Sequence, residues 1–386
     1  MTTGSHPEDH VHRPPRSAAL AASLICLALV SAACSPPAKE ASKESVKASS
    51  ATSAQDFGGI DALVAAAKKE GQLNVIALPP DWANYGEVIK AFQSKYGITV
   101  NSAQPDAASQ DEINAAKQLK GQSKAPDVFD LGQAVALANT DMFAPYKVAT
   151  WNDIPDSLKE SNGTWVNDYG GYMSIGFNSD KVPAPTTVKD LLKPEYKGKV
   201  ALNGDPTQAG AAFAGVFMAA LGNGGSADDI KPGVDFFAEL KKAGNFLPVD
   251  PTPATIESGQ TPVVIDWDYL NVGQGAKLKG KIPWQTVVPQ NAVIGGYYVQ
   301  AINADAPHPA AARLWQEFLY SDEGQNLWLG GGARPVRADA MVKANTIDKT
   351  AYDALPPVTG TPVFPTKEQT DKATEYLKAN WRKAVG

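Results

Sequence analysis

Two short runs combine carboxylates with aromatic rings. Asp266-Trp267-Asp268-Tyr269 follows directly on the apolar stretch Val263-Val264-Ile265, and Asp81-Trp82 closely follows Leu73 to Leu78. A carboxylate beside an indole or phenol face holds an alkylammonium by ion pairing and cation–π attraction together. The same Asp and Tyr oxygens suit a hard metal ion, and two nearby carboxylates could divide acid and base roles in a hydrolase. Other chemistry lacks the residues. Cys26 and Cys34 are the only cysteines, His6, His10 and His12 lie near the start, and His308 is alone in the rest of the chain. Cys/His zinc sites, Ser-His or Cys-His nucleophile pairs and two-histidine triads are thereby excluded beyond Cys34, and no metal or cofactor is expected. His308, between Pro307 and Pro309, reads as an exposed turn residue.

The elements that must position these runs are numerous enough for two lobes. An apolar fraction of 43% with 20% charged residues describes a globular protein, and a net charge of -6 without a basic block argues against a nucleic-acid partner. Arg13 and Arg16 precede an apolar run, Ala18 to Ala33, that ends in Ser31-Ala32-Ala33-Cys34. This order matches a secretory signal and is short for a membrane span. Small residues before a cysteine fit lipidation of Cys34, so residues 1–34 are expected to be a lipoprotein signal peptide and 35–57 a disordered Ser/Ala/Lys tether. The expected location is extracytoplasmic, with the membrane contacted only through the lipid.

From Gly58 helices and strands alternate, which predicts a parallel sheet with right-handed crossovers. Leu73 to Leu78, Ile98 to Ser102 and Asp127 to Leu131 read as the first strands. Tyr85, Val88, Ile89, Phe92 and Tyr96 line one helix face, closed by Gly97. Ser109-Gln110-Asp111-Glu112 has capping-box spacing. Strands are also predicted at Tyr172–Asn178, Lys199–Asn203, Pro262–Asp266 and Val293–Asn303. Asp205 is read as the cap, with Pro206 at the first position, of a helix reaching Leu221. Trp315 and Trp328 read as core, and Thr366 to Val385 as a last amphipathic helix.

Leu63 to Val75 (LVAAAKKEGQLNV), the strand Tyr172 to Asn178, the turn Gly204 to Gly210 (GDPTQAG), and Phe318 to Gln325 followed by Ala333-Arg334-Pro335-Val336 resemble extracellular solute-binding proteins of ABC importers. The similarity is to the branch holding ferric-iron, polyamine and aminoethylphosphonate receptors. It implies an α/β fold of the periplasmic-binding-protein-like type II class, with two lobes joined by two crossing strands and a ligand cleft between them. The strands would be Tyr172–Asn178 and Val293–Ala301, with lobe 1 at 58–171 and 290–330 and lobe 2 at 172–289 and 331–386. Clefts of open α/β sheets lie at strand C-termini. That rule selects Asp81, Trp82, Ser109, Thr207, Gln208, Trp267, Asp268 and Tyr269 as ligand-binding candidates, with Tyr297 added because one of Tyr297 and Tyr298 must face inward. The tandem tyrosines by which ferric-binding relatives hold iron would fall at Asp268 and Tyr269, so one is absent. The resemblance thus implies a non-enzymatic, monomeric, lipid-anchored component that passes a polyamine-like cationic or zwitterionic solute to permease subunits. Ferric iron or a phosphonate is the alternative cargo, the latter through the Thr207 amide and Arg334 or Arg337. A paired-Asp hydrolase and a chemoreceptor-type binding module are the alternatives of another class.

Overall fold

A computed structural model describes residues 43–386, so the signal segment, Cys34 and the first part of the tether lie outside the described residues. From Lys43 the expected tether is folded. Lys43–Ser50 is a helix and Ala54–Phe57 a 3-10 turn, with Ala48, Ala51 and Ala54 buried. Alanines three residues apart let this segment lie close on the helix Pro309–Leu319. The buried Arg313 then clasps it, donating from Nε to the Ala51 carbonyl at 2.7 Å and from Nη2 to the Ser49 carbonyl at 2.8 Å.

Ten strands are formed among the described residues: β1 (Gln72–Ile76), β2 (Thr99–Ala103), β3 (Val128–Leu131), β4 (Phe143–Ala144), β5 (Val166–Asn178), β6 (Val200–Leu202), β7 (Val263–Trp267), β8 (Trp284–Val287), β9 (Gly295–Asn303) and β10 (Arg334–Pro335). β1 and β2 pair in parallel, as do β6 and β7. The purely parallel arrangement expected from the alternation is not what forms. The main sheet runs β3-β9-β5-β7-β6, and β5 is antiparallel to both β9 and β7. The cause is that β5 and β9 cross the molecule in opposite directions.

β5 begins at Val166 instead of Tyr172. Its first part pairs with β9 and its second, from Met173, with β7 and β8. Gly170-Gly171 interrupts the apolar pattern there and hid the true start. Gly171 lies opposite Gly296, and Tyr172 opposite Gly295, so four glycines occupy the crossing. Close approach requires all four, and two of them admit the candidate residues. A Cβ on Gly171 would stand 2.0 Å from Asp268 Oδ1, and one on Gly296 2.6 Å from the Trp267 ring.

The helix Tyr85–Tyr96 forms as its spacing requires, burying Tyr85, Val88 and Phe92 and ending at Gly97 with φ 67°. Trp315 and Trp328 are fully buried. Thr366 caps the helix Lys367–Val385. Two other helix starts shift. Ala108, not Ser109, is the cap of Ser109–Gln118, and Asp111 accepts its amide; Ser109 Oγ instead accepts from the Gly132 amide at 3.0 Å. Asp205 spends its side chain on a local turn, accepting from the Thr207 amide at 2.8 Å and hydroxyl at 2.7 Å, so the next helix starts at Gly210. His308 is buried, not exposed. Its Nδ1 lies 2.8 Å from Asp127 Oδ2 and its Nε2 2.8 Å from the Gln72 amide nitrogen. With Gln72 as donor, the neutral ring accepts at Nε2 and donates from Nδ1, tying β1 to the start of β3.

Candidate functional site: an aromatic box backed by carboxylates

Four aromatic rings from four segments close into a box. Trp82 comes from the loop after β1, Tyr169 from β5, Tyr269 from the first turn of the helix Asp268–Lys277, and Tyr298 from β9. Trp82 meets Tyr298 edge-on at 5.6 Å between centroids and Tyr269 at 6.0 Å. Tyr169 stacks on Tyr298 at 5.5 Å and 3°, and meets Tyr269 edge-on at 6.0 Å. These separations suit the quadrupoles of the rings. Trp267 stacks outside Tyr269 at 6.3 Å. The Trp267 Nε1 and Tyr269 hydroxyl are buried without a hydrogen-bond partner, so the box carries two polar groups not satisfied by the protein.

Carboxylates surround this box. Trp82 Nε1 donates to the Tyr169 hydroxyl at 2.9 Å, which donates to Asp130 Oδ2 at 3.0 Å. Gln300 donates to Asp130 Oδ1, the Asp130 amide to Glu112, and the Tyr169 amide to Asp168. Asp266 accepts from Asn203 and from the Trp267 amide. All these donors are neutral. Burial consequently drives Asp266 up to about 7 and raises Asp130, with Asp168 and Glu112 pushed well above the carboxylate range. Asp268 rises to about 6, again through burial, although Arg334 pulls in the other direction. Burial also raises the phenols of Tyr169 and Tyr269, and nearby carboxylates add to it.

A second aromatic group adjoins the first. Arg334 places its guanidinium carbon 4.9 Å from the Tyr172 ring centre, donates from Nη2 to the Pro356 carbonyl at 2.8 Å, and reaches Asp268 Oδ2 only at 3.4 Å. Tyr297 stacks on Phe364 at 5.9 Å, and Phe364 lies 6.5 Å from Tyr172.

Of the candidates, Trp82 and Tyr269 enter the box and Trp267 backs it. Asp268 is at its edge but already engaged: Oδ1 accepts from the Tyr172 and Tyr269 amides, both at 3.0 Å. Asp81 does not repeat the carboxylate–aromatic pairing from the opposite side. It is exposed and paired with Lys277 at 2.9 Å. Ser109 holds Gly132, while Thr207 and Gln208 lie in the turn opened by Asp205, ahead of the helix whose amides they were expected to expose. Tyr297 belongs to the second group; Tyr298 is the inward member of the pair. Asp266 and Asp268 are tied into separate hydrogen-bond sets, a poor arrangement for acid and base acting on one bond. Tyr169 and Asp130 were not selected from sequence, and of Tyr297 and Tyr298 the other member was carried forward. An aspartate inside the apolar strand Val128–Leu131 was the available sign of Asp130.

Among the described residues no three His, Cys, Asp or Glu side chains converge as metal ligands, and no helix is long and apolar enough to cross a membrane. No curated protein matches the chain in sequence. The fold is similar to that of iron-bound HitA from Pseudomonas aeruginosa, at 20% identity over 81% of this chain and 99% of that one, TM-score 0.58. An ABC transporter substrate-binding protein from Bradyrhizobium japonicum USDA 110 has TM-score 0.65 at 14% identity, covering 82% and 100%. The spermidine/putrescine ABC transporter substrate-binding protein PotD from Streptococcus pneumoniae has TM-score 0.57 at 16% identity, covering 82% and 99%. At such identities the likeness establishes a periplasmic-binding-protein-like fold and no particular ligand. Residues 124–356 match the family described as bacterial extracellular solute-binding protein, and the chain belongs to that family.

Proposed function

We propose that this solute-binding component of an ABC importer captures a small solute bearing an ammonium group. The observation that carries the reading is the box of Trp82, Tyr169, Tyr269 and Tyr298 set among Asp130, Asp168 and Asp266, whose hydrogen-bond partners are neutral. An ammonium seated against these rings would gain cation–π attraction and relieve the carboxylates of the charge that burial penalises. Each desolvated cation–π contact contributes about 2 kcal/mol. The lobes, 58–171 with 290–330 and 172–289 with 331–386, would close by bending at the glycines of the β5–β9 crossing. The leader and its cysteine support a lipid on Cys34 and a site of action outside the membrane, and we take the receptor as a monomer facing its permease.

A ferric ion fits less well. Iron favours phenolate ligands, whereas burial and neighbouring carboxylates hold the Tyr269 phenol protonated, and Asp268 is committed to two amides. Thermal-shift measurements with putrescine, spermidine, ferric citrate and aminoethylphosphonate test the reading. Stabilisation by the amines is expected; stabilisation by the ferric or phosphonate compound alone would overturn it. Loss of a fatty-acid label in Cys34→Ser tests the anchor.

A further inference from the structure

Two donors at the box have nothing to donate to. Tyr269 is 2% exposed and Trp267 7%, and neither the Tyr269 hydroxyl nor the Trp267 Nε1 meets a partner in the protein. Among the described residues the Tyr269 hydroxyl is the only buried hydroxyl in that state. A phenol proton turns about its C–O bond to find an acceptor, so its lack of one means that none lies within reach. The adjoining donors are engaged: Trp82 Nε1 donates to the Tyr169 hydroxyl, and that hydroxyl to Asp130. A buried donor left unpaired costs more than an ordinary hydrogen bond returns, and native proteins rarely keep one without a water or a ligand to receive it. A phenylalanine would make the same ring contacts as Tyr269 without that cost.

The hydroxyl belongs to a ring of the box itself. Tyr269 meets Trp82 and Tyr169 edge-on, each at 6.0 Å between centroids, and Trp267 stacks on it at 6.3 Å and 8°. A solute lodged against the Tyr269 ring therefore lies beside the hydroxyl of the same side chain, with the second donor on the adjacent ring. Burial, the Tyr298 phenol and Asp266 all hold the Tyr269 phenol protonated, so it stays a donor. The carboxylates of the box have neutral partners, and an anion brought to these donors would add like charge to them. A neutral oxygen would not.

We propose that the Tyr269 hydroxyl, with Trp267 Nε1 as second donor, receives a neutral oxygen of the same solute whose ammonium the box holds, so that the cargo is an amino alcohol or a similar hydroxylated amine and not a simple polyamine. This rests on the amine reading above and narrows it. A solute hydroxyl suits the place because it accepts from Tyr269 while keeping a proton to donate to a carboxylate.

The test uses compounds that share one amine and one butyl chain and differ only at the far carbon: butylamine, 4-aminobutan-1-ol, putrescine and 4-aminobutanoate. Isothermal titration of the full protein should show the amino alcohol binding about tenfold more tightly than butylamine, as expected for a neutral hydrogen bond to a donor otherwise unpaired. It should also exceed putrescine, whose second ammonium cannot accept, and 4-aminobutanoate. Tyr269→Phe keeps the ring and should bring the alcohol-to-butylamine ratio to about one without lowering the melting temperature of the free protein, because the hydroxyl has no partner to lose; Trp267→Phe should reduce the ratio in part. If neither variant folds, the ranking of the four compounds on the unaltered protein decides. Butylamine or putrescine binding as tightly as the alcohol, tighter binding of 4-aminobutanoate, or a ratio that survives Tyr269→Phe would overturn the proposal and leave the amine reading standing. Binding of none of the four would overturn both.

Discussion

The box around Tyr298 and the group around Tyr297 are made from adjacent residues of one strand, yet they provide opposite electrostatics. Strand alternation sends the two phenols to opposite sides. One meets Tyr169 and Trp82 in a setting of buried carboxylates; the other meets Phe364 near the Arg334 guanidinium. The aromatic content is similar, so ring count does not decide what each attracts. The charge behind the rings does: acidic for the box, basic for its neighbour.

The largest expected effect comes from breaking the junction. Gly171→Ala would drive a methyl onto Asp268 Oδ1, and backbone shifts there should cost about 3 kcal/mol of stability and abolish solute binding. Urea unfolding with titration calorimetry measures both. Next is Trp82→Ala, which removes one aromatic ring and the indole donor to Tyr169; a loss of about 2 kcal/mol in ammonium affinity is expected.

The pH dependence sharpens the contrast. Asp266 and Asp268 have folded values of about 7 and about 6, above the ordinary 3.8. The folded state therefore holds protons that the unfolded chain has released, and the stability contributed by these groups, full below the ordinary value, is lost as pH rises through 6 to 7. Thermal melts of the free protein should fall as pH rises toward 7 and fall less steeply in Asp266→Asn, where Asp130, Asp168, Glu112 and Asp268 still titrate. The shift produced by an ammonium solute should grow over the same interval, because the ionised box binds it better.

A smaller change is expected at the margin. Asp81→Asn breaks only the exposed pair with Lys277, and its effect on affinity should stay below about 1 kcal/mol and vanish in high salt.

Much of the fold was legible in the sequence because core helices announce themselves by period, as Tyr85, Val88 and Phe92 do. The crossing was not. Glycines that admit Trp267 and Asp268 at close range carry no apolar signal, so the start of β5, and Tyr169 with it, went unread. In the site, the rule of strand C-termini found Trp82 and Tyr269. It overreached at Asp205-Pro206-Thr207, where a local turn ends before the helix begins. It missed Asp130, which is inside a strand and reaches the box only through Tyr169. His308 was misjudged because its flanking prolines suggested exposure, while Asp127, distant in sequence, buries it.

The Arg313 clasp has a mechanical consequence. Tension applied to the chain at Lys43 enters the body through the carbonyls of Ser49 and Ala51 and passes into the helix Pro309–Leu319. That load path bypasses the β5–β9 crossing. A pull on the N-terminal segment would be borne by that helix and leave the strands around the aromatic box unloaded.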